Sequence, residues 1–219
     1  MSSSKPLNSA TPCFYVDAAI RRLRKIKTYS EELGLDLNKP GDRFKWFLAS
    51  MLFARRISSQ VAKKTFKRFQ EEGLVTPEAI LKAGWHKLVE VLDSGGYVRY
   101  DFSTATNLLD VSKSLLERFG SIDEVHHRAE SSKHLEELLA SFRGIGPVGV
   151  NIFLRELRGV WSKADPEPSK LAVETARRLG VKRIREVESQ LVRLNLEYCR
   201  RKACEACPVN KTCLKKPFK

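Results

Sequence analysis

Apolar positions recur at helical spacing along nearly the whole chain, and no stretch shows convincing period-two alternation. Ala19, Ile20, Leu23 and Ile26 share one face of a segment whose other face carries Arg and Lys. That pattern predicts a helix over Tyr15–Leu35, with Asp17 as N-cap and Gly34 as its stop. A turn follows through Asn38-Lys39-Pro40-Gly41-Asp42. Arg43 to Arg56 is apolar on most faces (Phe44, Trp46, Phe47, Leu48, Met51, Leu52, Phe53), the mark of a buried central helix. Ser58 or Ser59 caps a helix running through Phe69, and Thr76-Pro77-Glu78 starts another by the rule that proline suits the first helical position. Trp85–Leu92 reads as a further short helix. Gly95-Gly96-Tyr97 interrupts the pattern before Asp101–Phe119, and a loop then leads to Ser132–Ser141. Pro147–Leu157, Ser169–Leu179 and Ile184 to about Tyr198 complete the series. Many short helices on short turns predict an all-α packed assembly rather than a four-helix bundle.

Composition narrows the class. With 219 residues, 42% of them hydrophobic, the chain can bury a real core in one large domain or two small ones, which excludes a disordered tail protein. Its richest apolar runs, Trp46–Phe53 and Val148–Leu154, fall far short of the ~20 residues of a membrane-crossing helix. Residues 1–14 read as a flexible start rather than a secretory signal, so a reducing compartment, the cytoplasm, is expected. Lys and Arg number 40 against 26 Asp and Glu, a net charge of +14. One reading of that excess is solubility; the other is an electrostatic footprint for nucleic acid, whose condensed counterions Lys and Arg replace.

Two local patterns carry chemistry. In Phe142-Arg143-Gly144-Ile145-Gly146-Pro147-Val148-Gly149-Val150, two glycines spaced by one residue permit a tight turn and Pro147 fits the first position of the next helix. The amides of Gly146, Val148 and Gly149 are then left pointing outward at a helix N-terminus, an arrangement that binds phosphate. An ordinary helix–helix turn is the plainer reading of the same glycines. The second pattern is Cys199-x4-Cys204-x2-Cys207-x5-Cys213, holding four of the five cysteines while Cys13 stands alone. So tight a cluster in a reducing compartment points to metal rather than disulfides. Four thiolates can enclose tetrahedral zinc or a cubane iron–sulfur cluster. Only Cys204 and Cys207 form a Cys-x-x-Cys knuckle, and Pro208 follows it, so spacing favours a [4Fe–4S] cluster over zinc.

Together the helical order, the Gly-Ile-Gly hairpin and the four-cysteine loop resemble the endonuclease III branch of the helix-hairpin-helix DNA glycosylase superfamily, from about Ala18 to Lys216. Phe47-Leu48-Ala49-Ser50-Met51-Leu52-Phe53-Ala54 looks like that family's buried second helix, Thr76-Pro77-Glu78-Ala79-Ile80-Leu81 like its Thr-Pro helix start, and Gly96-Tyr97 like the turn before a long helix. The resemblance implies a two-domain fold. A six-helix domain covers 37–157 with the hairpin at 142–150; a second helical domain combines 15–36 with 158–219 and carries the cluster loop at 199–213. It further implies a base-excision-repair enzyme, acting as a monomer on double-stranded DNA, that flips a damaged or mismatched base out of the duplex and cleaves its glycosidic bond. Gly144, Ile145, Gly146, Val148 and Gly149 would grip the DNA backbone. The catalytic carboxylate would follow the hairpin by about twenty positions, which selects Asp165, with Glu167 behind it.

Three departures from the family pattern shape the expectation. Bifunctional members carry a lysine where this chain has Val148, and Schiff-base chemistry needs an amine, so a monofunctional glycosylase without strand cleavage is expected. Lys163 and Lys170 lie outside the motif and read as solvated or phosphate-facing. Asp165 is followed by Pro166-Glu167-Pro168-Ser169, and Ser169 competes with it for the cap of the next helix; a catalytically silent DNA-binding protein is the alternative. The first cysteine spacing is four where the family has six, which implies a tighter loop.

Arg55-Arg56 stands where the family places a glutamine that fills the gap left by the flipped base; Arg55 is the candidate for a DNA role, with a solvated surface pair as the other reading. Tyr97, Arg99 and Tyr100 border another DNA-facing loop, with half-buried packing as the other reading of the tyrosines. Trp46, Trp85 and Trp161 read as core or interdomain residues, and His86, His126, His127 and His134 as surface residues. Arg200, Arg201, Lys202, Lys211, Lys215 and Lys216 interleave with the cysteines, where they both face phosphate and offset thiolate charge.

Overall fold

The computed structural model describes residues 18–213. Those residues are helical, with no strand among them. None of the described helices is long and apolar enough to cross a membrane. Asp17, Cys13, Lys215 and Lys216 lie outside the described residues.

Contacts divide the chain into two compact units. The larger is continuous, Tyr29–Glu167; the smaller joins Met1–Thr28 to Pro168–Lys219. These divisions fall at 28/29 and 167/168, beside the 36/37 and 157/158 of the sequence reading.

The first helix, α1, is described over residues 18–23. It does not continue to Leu35 as its pattern predicts. The amides of Lys25 and Ile26 bond three residues back, to Arg22 and Leu23, which tightens the last turn, and the chain then leaves the helix. A separate short helix α2, Tyr29–Glu32, begins where Glu156 accepts from the Tyr29 and Ser30 amides at 3.4 and 3.0 Å. A carboxylate at these otherwise orphaned donors lets the second helix start. Periodicity alone could not show the break, because the apolar face of 19–26 runs on into Tyr29 and Leu33.

Helix α3 is Pro40–Phe53. Pro40 occupies its first turn, so the segment expected as a loop through Asp42 is already helix. Trp46, Phe47, Leu48, Ala49 and Leu52 are wholly buried, and α3 is the axis of the larger unit. The Trp46 indole donates to the Phe153 carbonyl at 3.1 Å, and the Phe47 ring meets Phe142 and Phe153 edge-on. Helices α4 (Ser59–Glu71) and α5 (Pro77–Gly95) are capped by Ser58 and Thr76, whose hydroxyls accept from the amides three residues on. Gly84, at φ 72°, breaks α5 into the two helices that the sequence suggests. Gly95 lets α4 and α5 approach closely: a Cβ there would stand 2.5 Å from the Thr65 Cα.

Helix α6 is Asp101–Arg118, and α7, Ile122–Arg128, occupies a segment expected as loop. Ser121 caps α7 and Ile122 and Val125 are buried, so two apolar residues suffice where a longer period is absent. Helices α8 (Ser132–Ala140) and α9 (Pro147–Arg155) flank the hairpin.

The smaller unit has its own core, in which Ala19, Ile20 and Leu23 of α1 pack with Ala172, Ala176 and Leu191. Helix α10 is Lys170–Leu179 and α11 is Glu188–Leu194. Ser169 is the cap of α10: its hydroxyl accepts from Ala172 at 3.4 Å, while its amide donates to the buried Glu188 carboxylate at 2.9 Å. The helix expected over 184–198 comes in three pieces. A 3-10 turn Ile184–Val187 precedes α11, and a π-helical turn Asn195–Cys199 follows it.

Candidate nucleic-acid interface and cysteine-lined cavity

The hairpin is an exposed tip on a buried anchor. Gly144 adopts φ 80°, and a Cβ there would collide with the Asn107 side chain of α6 at 2.4 Å. Only glycine satisfies both conditions. Gly146 is extended, with open space where a Cβ would sit, so its role is not steric within the fold. Ile145 and Gly149, both expected to grip DNA, are buried, while Gly144, Gly146, Pro147 and Val148 are exposed. Val148 is 62% exposed, unusual for a large apolar side chain. The Val148 and Gly149 amides, in the first turn of α9, have no acceptor within the helix.

Asp165 lies in the same unit, on a loop that is tied to α9 two residues further on, at Glu167. The Asn151 side chain of α9 donates to the Glu167 carbonyl at 3.0 Å. Arg158 donates to the Asp165 carboxylate at 3.1 Å and to the Pro166 carbonyl. The Asp165 side chain is half exposed, while Arg158 is largely covered. Burial and the charges of Glu167 and Asp165 push the Glu136 carboxyl above its ordinary value, so a third acid stands nearby on α8. This arrangement offers a solvent-reachable carboxylate held by a guanidinium. It can stabilise positive charge or orient a water.

Several residues singled out in the sequence sit elsewhere than expected. Tyr97 is fully buried, with its hydroxyl donating to the Leu52 carbonyl at 2.8 Å, so it cannot stack on a strand. Burial pushes its phenol well above the ordinary value, opposed by the charge of Arg55. Arg55 is thus a partly buried neighbour of that turn; Arg56 is exposed. Tyr100 is half-buried beneath Arg99, whose guanidinium lies 5.4 Å from the ring centroid. Lys163 is half-buried, and its ammonium donates to the His126 and His127 carbonyls at the end of α7. His126 is no plain surface residue: it stacks on Trp161 at 4.8 Å. Burial, with the nearby charges of Lys163 and His127, keeps its imidazole below the ordinary value. Trp46 and Trp161 are core, whereas Trp85 is half-buried, packs on the exposed Phe102 and donates to Thr106.

All four clustered cysteines line one cavity of about 760 Å³ in the smaller unit. Leu179, Leu194 and Val209 contribute apolar wall, and Arg178, Lys202 and Lys211 bring positive charge. Cys199 ends the π-helical turn, and the Ala203 amide returns to the Tyr198 carbonyl at 3.0 Å. Lys202 sits left-handed at φ 56°, the sole non-glycine to do so among the described residues. This tight reversal accommodates the short four-residue spacing before Cys204. Burial pushes the Cys199 thiol up, as do the other three sulfurs, against the charge of Arg178. The Cys207 thiol is raised by burial and by Cys213 and Cys204. Four sulfurs that sense one another around an apolar, cation-rimmed cavity suit a group that takes up thiolate charge. Among the described residues, no three His, Cys, Asp or Glu side chains converge as ligands of a single ion.

Charge is partitioned between the units. Tyr29–Glu167 carries 20 Lys and Arg against 20 Asp and Glu, so the smaller unit holds the whole excess of +14. No protein-family model matches the chain, and no curated protein is significantly similar to it.

Proposed function

We propose that this protein is a monofunctional DNA glycosylase of base-excision repair, with the two-domain helix-hairpin-helix arrangement. In this reading it hydrolyses the N-glycosidic bond of a damaged or mismatched base flipped out of duplex DNA. The observation that carries this reading is that one helix, α9, presents the exposed hairpin at its start and, through Asn151, holds the Glu167 carbonyl of the loop that carries Asp165. A phosphate grip and the loop that carries the carboxylate are thereby joined to one element. The hairpin amides hold the backbone beside the flipped nucleotide. Asp165 then stabilises the positive charge that develops on the sugar and orients the attacking water. Val148 offers no amine, so the reaction stops at the abasic site.

The four cysteines would hold a [4Fe–4S] cluster. Each cysteine sulfur would bind a different iron of such a cluster, whereas zinc needs all four within about 2.3 Å of one point. A common cavity of about 760 Å³ suits the former. When bound, the cluster ties the loop 199–213 together. Arg178, Lys202 and Lys211 offset its charge.

The Arg158 pair and the half-exposed position of Asp165 favour a second reading, a catalytically silent lesion-binding protein in which that aspartate only braces the loop. Wild type and Asp165→Asn are incubated with duplexes that each bear one lesion or mismatch, then treated with alkali. Alkali-dependent cleavage of one duplex by wild type alone establishes the enzyme and names its base. Retention of duplex without cleavage of any establishes the second reading.

A further inference from the structure

Between Ser141 and Ile152 the chain contains one charged residue, Arg143, immediately before the first hairpin glycine. Its side chain is 68% exposed, and its guanidinium donates to Asp110 of α6 at 2.7 Å. Asp110 is itself 41% exposed. One turn earlier on α6, Asn107 fills the space beside Gly144. Further along the same helix, Arg118 donates to the Ser141 hydroxyl at 3.1 Å and lies over the Phe142 ring. Helix α6 therefore braces the hairpin from Ser141 to Gly144, and within that brace the Asp110 carboxylate takes the guanidinium at the hairpin's entrance.

The larger unit has no net charge, so a polyanion approaching the hairpin gains no attraction from the unit as a whole. A local cation has to supply it. We propose that Arg143 is a further phosphate-binding residue of the hairpin, and that Asp110 occupies its guanidinium until a DNA phosphate replaces it. Exposed ion pairs hold weakly in water, so the exchange is easy, and a guanidinium matches phosphate as well as carboxylate with its planar fork. The exchange also blunts salt dependence. A phosphate that gains Arg143 releases a counterion, while the Asp110 carboxylate left behind attracts one.

The inference rests on the proposed duplex-DNA reading, and four proteins separate the two: wild type, Asp110→Asn, Arg143→Gln and the double variant. Duplex affinity is measured across a salt series, with melting temperature as a check on folding. Asp110→Asn should bind several-fold more tightly and steepen the slope of log affinity against log salt, by up to about 0.9 for one phosphate. Arg143→Gln should bind more weakly, and adding Asp110→Asn to it should restore nothing. Lys113→Gln, one turn further along α6 and 69% exposed, should match wild type. An Asp110→Asn protein indistinguishable from wild type, or one that gains equally without Arg143, overturns the exchange while leaving DNA binding intact. A wild type that retains no duplex even at low salt overturns the DNA reading, and this inference with it.

Discussion

In the proposed reading, the two units meet a polyanion in opposite ways. The larger has equal numbers of acids and bases, yet it holds the shaped elements, the hairpin and the Asp165 carboxylate. The smaller has the entire charge excess and the cysteine cavity. Net charge on a chain thus says little about where recognition geometry lies. A charge attracts over the Debye length of about 10 Å, whereas a backbone amide works only in contact.

The comparison breaks most sharply at the cavity. Anaerobically purified wild type should show broad visible absorption and bound iron, and Cys204→Ser and Cys207→Ser should abolish both. A colourless wild type holding one zinc per chain would remove the iron–sulfur assignment. Next come the glycines. Gly95→Ala and Gly144→Ala each force a methyl group onto packed atoms, at 2.5 Å from the Thr65 Cα and 2.4 Å from the Asn107 amide. Each should destabilise by about 1–3 kcal/mol in thermal or urea melts. Gly146→Ala has open space and should cost less than about 1 kcal/mol; any larger loss of duplex affinity then reports the ligand's approach to the backbone.

Charge neutralisation sharpens the contrast between the units. Arg200→Gln and Arg201→Gln in the exposed cluster loop should each lower the salt slope by about 0.9, whereas Lys67→Gln and Lys113→Gln in the neutral unit should leave it unchanged. Equal effects from both pairs would show that the partition of charge has no bearing on binding.

The smallest effect concerns two carboxylates of the larger unit that titrate in opposite senses. Burial raises Asp42, but hydrogen bonds from Lys45 and the Asp36 amide outweigh it and hold the carboxyl below its ordinary value. Its stabilisation is present above the unfolded value of about 3.9 and fades as pH falls through the lower folded value. Asp93 is raised by burial and by its hydrogen bond with Asp101, so its contribution is present in acid and is lost as pH rises through the folded value. Asp42→Asn should therefore flatten the acid limb of a melting-temperature profile. Asp93→Asn should remove the loss on the rising side.

Much of the helical plan was legible because capping chemistry is local. Ser58 and Ser169 announce helices as caps and Thr76 does so through the proline after it, and the hydroxyl of each accepts from the amide three residues on. The break before Tyr29 was not legible, since its cause is a carboxylate at Glu156, distant in sequence. Helix α7 was missed because two buried side chains make no period. At the candidate site, the hairpin's tight turn followed from its glycines and proline. The burial of Tyr97 did not, because a tyrosine with its hydroxyl on a main-chain carbonyl looks in sequence like one facing a ligand. Arg158 escaped notice as the partner of Asp165, as did Asp110 as the partner of Arg143, since ion pairs across a fold leave no spacing signature.

The smaller unit is assembled from two stretches separated by the whole of the larger one. During synthesis, Tyr29–Glu167 emerges as a continuous stretch and can fold at once. Ala19, Ile20 and Leu23 have to wait, their apolar face open, until Ala172, Ala176 and Leu191 have been made. Closing the gap between them costs loop entropy that is recovered only when that late core forms. The cysteine cavity comes later still, so any metal is loaded onto a chain whose larger unit is already finished. Ribosome-stalled chains that stop before Leu191 should accordingly be cut by protease around α1 while Tyr29–Glu167 resists.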